Sequence, residues 1–93
     1  MTKIELNNVV DFLYATQTKA TYGAVADAVG GIAQGVGAKL GEKTPRNSWV
    51  VNSQTEMPTD YPEELVDPPV HAINRIVRSG HELIEAMRRR EYL

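Results

Sequence analysis

The chain contains no cysteine, and that absence removes three kinds of chemistry. Disulfides, thiolate nucleophiles and cysteine-based zinc sites are all excluded. A cysteine-free chain also suits a reducing compartment. Large aromatics are scarce, with one Trp and one Phe, so the core must rest on Val, Ile, Leu and Ala. No stretch approaches the roughly 18 apolar residues of a membrane span. Met1-Thr2-Lys3-Ile4-Glu5 lacks the apolar run of a signal peptide. The expectation is a cytoplasmic protein with no membrane partner.

What is present is ordinary globular material. The length of 93 residues predicts a single domain over residues 1–93. The net charge of -2 argues at first sight against a polyanion partner. Its distribution matters more. Residues 1–50 carry five bases and four acids, residues 51–70 five acids and no base, and residues 71–93 five arginines and three acids. The acidity is confined to one segment, and the rest of the chain is mildly basic.

Leu6, Val9, Val10, Leu13 and Tyr14 recur at helical spacing and predict a core-facing helix over 5–15. Thr18 to Thr21 is polar and turn-like, with Thr21 placed to cap a helix over 22–29. Gly30-Gly31 ends that helix. Ile32, Val36 and Leu40 fall on one face of the next, over 32–41. Ser48-Trp49-Val50-Val51-Asn52 is β-branched and aromatic and predicts a strand. Residues 53–70, with four prolines and the acidic cluster, predict a loop. His71 to Val77 predicts a second strand. Ser79 and Glu82 form a capping box for a last helix reaching about Glu91.

This order predicts a mainly α chain with a small β-hairpin wing (α+β), a winged helix-turn-helix. The helix pair 22–40 has the small residue (Ala26), the turn glycine (Gly30) and the apolar anchors (Val25, Val29, Val36, Leu40) that such a motif requires. An ordinary helical hairpin uses the same pattern. Gly35 and Gly37 each cost a helix interior about 1 kcal/mol relative to alanine. They serve either close approach to a partner or close packing on the preceding helix.

Thr21-Tyr22-Gly23-Ala24-Val25-Ala26, followed by Ala33-Gln34-Gly35-Val36-Gly37-Ala38, resembles the DNA-binding domain of O6-alkylguanine-DNA alkyltransferases and the inactive alkyltransferase-like proteins. The resemblance covers residues 18–41 and returns at 78–91. It implies a winged helix and a duplex DNA partner. In that family the tyrosine presses on a phosphate during base flipping, and Tyr22 matches it. The family's recognition helix enters the minor groove and lends an arginine, where this chain has Gln34. The family continues with Pro-Cys-His-Arg, whose cysteine accepts the alkyl group and is tryptophan in the inactive members. Residues 47–52 retain only Trp49 as an echo of that variant. With no thiol, alkyl transfer is excluded. The flanking Pro, His and Arg are missing as well, which leaves the resemblance to imply a scaffold and a DNA contact.

The candidate DNA-binding residues are therefore Tyr22, Gln34, Gly35, Ala38, Lys39, Lys43, Arg46 and Trp49. Trp49 is read either as core or as a wing aromatic. Arg88-Arg89-Arg90 suits either the negative end of a helix dipole or phosphate. His81-Glu82 lacks the second histidine of a zinc-protease motif. Asp60, Glu63, Glu64 and Asp67 do not follow a calcium-loop pattern. Gly31 to Lys43 lacks the ending of a phosphate loop. No metal, cofactor or catalytic set is expected. The alternative to a DNA-binding protein is a protein-interaction or homodimerisation module on the same scaffold.

Overall fold

A computed structural model describes residues 4–92 of the chain. The readings placed on residues 1–3 and on residue 93, the domain ends among them, lie outside the described residues. Among the described residues, five helices, three short strands and two 3₁₀ turns follow one another. Helix α1 spans Leu6–Thr16, strand β1 Lys19–Thr21, helix α2 Tyr22–Val29 and helix α3 Ala33–Leu40. A 3₁₀ turn at Arg46–Trp49 leads into strand β2, Val50–Val51. A second 3₁₀ turn at Glu63–Leu65 and the short helix α4, Pro69–Ala72, precede strand β3, Ile76–Val77. Helix α5 spans Gly80–Arg89.

The mixed α+β class holds, but the β part is not a hairpin. The strands form a parallel sheet in the order β2-β1-β3. Ala20 faces Val50 on one side and Val77 on the other. The predicted wing paired residues near 50 directly with residues near 76. Instead both segments pair with β1, which lies in the stretch predicted as a turn. Parallel neighbours need long crossover connections, and residues 22–49 and 52–75 supply them. β1 was missed because Thr18 and Lys19 read as polar, yet both are buried. The predicted strand over 48–52 is a 3₁₀ turn followed by two strand residues. Half of the predicted strand over 71–77 is α4 and its exit.

The caps explain why the helices begin where they do. The Thr21 hydroxyl accepts the Ala24 N–H at 3.0 Å, and the Ser79 hydroxyl accepts the Glu82 N–H at 3.2 Å. Gly30, at φ 83°, ends α2 in a conformation that L side chains disfavour. The end of α3 is closed from outside the helix: the Asn47 amide donates to the carbonyls of Leu40 (3.2 Å) and Glu42 (2.9 Å).

One apolar core joins α1, α2, the sheet and α5, with Val9, Leu13, Val25, Trp49, Val70, Leu83 and Met87 fully buried. α2 lies against α5 so closely that a Cβ on Gly80 would run into the Asp27 side chain and the Ala28 backbone. Trp49 sits inside this core at 0% exposure, and its indole N–H donates to the Asp67 carboxylate at 3.0 Å. The reading of Trp49 as a wing aromatic or DNA contact is corrected accordingly: a large apolar ring gains more from full burial than from water.

Candidate nucleic-acid interface

α3 is the least buried of the longer helices. Only Val36 is buried, while Ala33, Gln34, Gly37, Ala38 and Lys39 are exposed. Val36 and Leu40 anchor one side to the core, as their spacing predicts. The opposite side carries Gln34, Gly35 and Ala38, with little side chain to hold a partner away. Gly35 and Gly37 are not needed for packing on α2. A Cβ at Gly35 would make ordinary contact with Ile32 at 3.7 Å, and one at Gly37 would meet nothing within 4 Å. Of the two explanations offered by the sequence, close packing on the preceding helix is therefore removed.

Between α3 and residues 52–61 lies an open cleft of about 710 Å³. Tyr22, Gln34, Gly37, Lys43, Tyr61 and Arg78 are among its lining residues. Tyr22 reaches it from the first turn of α2, placed there by the Thr21 cap. Lys43 follows the end of α3, and Arg78 follows β3. Two bases and two phenols thus share a concavity with the exposed face of a helix. Glu42 and Asp60 line it as well, so the concavity holds two bases and two acids beside the neutral donors Tyr22 and Gln34.

The eight candidate residues separate into three groups. Tyr22, Gln34 and Lys43 meet at the cleft. Gly35, Ala38 and Lys39 stay with the outer surface of α3, where the Lys39 ammonium lies near the Gly30-Gly31 turn. Arg46 and Trp49 face inward or toward α1. The Arg46 guanidinium bonds to the Asp11 carboxylate and to the Asn7 carbonyl (3.1 Å) and side chain (3.0 Å). It ties the 3₁₀ turn to α1 through a surface ion pair.

Tyr61 and Arg78 were not singled out from the sequence. Tyr61 stands in the proline-rich stretch, where only its residue type was informative: a phenol needs an anchor for its hydroxyl. Here the hydroxyl accepts the Thr44 N–H and donates to the Thr44 carbonyl, each at 3.2 Å. Burial pushes the Tyr61 phenol above its ordinary value of 10.0; the Thr44 bond opposes this and the neighbouring Tyr22 adds to it.

Among the described residues, no group of three or more His, Asp or Glu side chains gathers to hold a metal ion. His71 instead contacts the Glu63 carboxylate at 2.7 Å. No helix of the described residues is long and apolar enough to cross a membrane. Comparison with protein-family models, curated proteins and solved structures finds no match to the chain.

Proposed function

We propose that the chain is a non-catalytic, cytoplasmic DNA-binding protein that presents α3 and the adjoining cleft to duplex DNA. The observation that carries the proposal is the character of α3: a helix with one buried residue, open space at Gly37, and Lys39 and Lys43 at and beyond its last turn. Small residues let a helix backbone approach a groove, and Lys39, Lys43 and Arg78 would supply the phosphate contacts. Kinship with the winged-helix domain of alkyltransferase-like proteins is part of the proposal. It is supported by Thr21-Tyr22-Gly23 at the start of α2 and by Gln34 on α3. It does not extend to a β-hairpin wing or to Trp49.

Three phosphate contacts give a log–log salt slope of about -3, so affinity falls about 40-fold between 50 and 200 mM salt. Fluorescence anisotropy with a labelled duplex measures this. Absence of binding at about 100 μM protein, the weak end of nonspecific affinity, overturns the proposal.

One observation favours a protein contact as the second reading. Ile32, ahead of α3, is 68% exposed. Sedimentation of the pure protein tests its homodimer form, and a monomer at high concentration contradicts that form.

A further inference from the structure

Residues 52–61 fold back along the cleft, and their contacts converge on its polar groups. Asn52 starts the turn: its side-chain oxygen accepts the Gln54 N–H at 2.8 Å, and its carbonyl accepts the Glu56 N–H at 2.8 Å. Beyond it the Thr59 N–H donates to the Tyr22 hydroxyl at 3.2 Å. The Lys43 ammonium donates to the Asp60 carbonyl at 2.7 Å. Arg78 donates to the Glu56 carboxylate at 3.1 Å and to the Ser53 carbonyl at 3.0 Å. Three polar groups that line the cleft and suit a phosphate are therefore all engaged by one segment of the same chain.

The segment is under backbone strain as well. Glu56 and Asp60 have φ of 59° and 54°, in the left-handed region. Such conformations persist in non-glycine residues only where surrounding contacts hold them. It also belongs to the stretch 51–70, which carries five acids and no base. Glu56 pairs with Arg78, and Asp60 shares the cleft lining with Lys43, so both carboxylates oppose a phosphate there.

We propose that residues 52–61 are an autoinhibitory latch, which occupies Tyr22, Lys43 and Arg78 in the free protein and must release them before a nucleic-acid phosphate binds. The inference rests on the DNA-binding reading. It adds that affinity is set by the loop as much as by α3. Release exchanges the Lys43–carbonyl and Arg78–carboxylate bonds for bonds to phosphate, and it frees two strained residues. A duplex that does not displace the loop gains no phosphate contact from Tyr22, Lys43 or Arg78.

The test compares two double variants that remove the same charge from the same segment. Glu56→Gln with Asp60→Asn neutralises the latch but keeps its backbone carbonyls, and Asn tolerates the left-handed conformation. Glu63→Gln with Glu64→Gln removes two exposed charges outside it. Anisotropy with a labelled duplex at about 50 mM salt is expected to show the latch variant binding about fivefold more tightly than the unaltered chain. The control pair is expected to gain no more than about twofold. Hydrogen exchange of the Thr59 amide, which is hydrogen-bonded to Tyr22 in the free protein, is expected to become faster at saturating duplex. Equal gains by the two variants, or a Thr59 amide still protected in the complex, overturns the latch and leaves DNA binding standing. No binding by any of the three proteins at about 100 μM overturns the DNA reading and the latch together.

Discussion

Helices α2 and α3 are equal in length, eight residues each, and adjacent in the chain, yet they are built in opposite ways. α2 is capped by the Thr21 side chain and buries Ala24, Val25 and Ala26. α3 starts at Ile32 with no side-chain cap and buries only Val36. α5 presses on α2 until Gly80 has no room for a methyl group, whereas Gly37 on α3 faces open space. The same residue type thus marks the tightest packing in one place and the absence of packing in another. The difference is one of packing: α2 is buried between the sheet and α5, while α3 meets the core along one side only.

The largest expected break in that comparison is Gly80→Ala. The added methyl must displace the backbone of α2, an overpacking cost of about 1–3 kcal/mol. Chemical denaturation should show the loss, and an unchanged midpoint would mean that α2 and α5 sit further apart than described. Exchanging the caps comes next. Thr21→Ala should cost about 1 kcal/mol, whereas Ile32→Ser should add up to that amount by giving α3 the cap it lacks. Thermal melts of both variants measure the asymmetry directly.

Gly37→Ala sharpens the comparison further, because stability and binding should move in opposite directions. A methyl there meets no atom within 4 Å. The free protein should gain up to about 1 kcal/mol, while duplex affinity falls as the helix is held off its partner. A variant that is both more stable and binds as before would remove the glycines from the interface.

The smallest effect concerns the cleft wall. The fold raises the Tyr61 phenol above 10.0, so it favours the neutral form. Stability from this group is complete below pH 10.0 and is lost as the pH rises through the raised value. Denaturation midpoints measured across that range should fall more steeply for the unaltered chain than for Tyr61→Phe.

The helical half of the fold was legible because its signals are local. The Thr21 and Ser79 caps, the Gly30 stop and the Val36–Leu40 spacing each act within a turn or two of chain. The sheet was not, because its strands are two or three residues long and their pairing joins Ala20 to Val50 and to Val77, far apart in the chain. No period can be read in Lys19-Ala20-Thr21, and Lys19 disguises a buried strand. Its ammonium reaches the carbonyls of Glu56 (3.3 Å) and Val70 (3.4 Å), contacts between distant parts of the chain. The candidate site divides in the same way. Tyr22 and Gln34 follow from a local motif. Tyr61 and Arg78 join them only through the crossovers; Trp49 is buried beside Asp67, and Arg46 is held at the surface by Asp11.

The central claim is that α3 is exposed in order to meet a nucleic acid, and an NMR titration with a short duplex tests it most directly. The account predicts amide shifts concentrated at Tyr22, Gln34 to Lys39, Lys43 and Thr59 to Tyr61, with α1 and α5 unmoved. Shifts centred on Arg88 to Arg90, or none at saturating duplex, would contradict it.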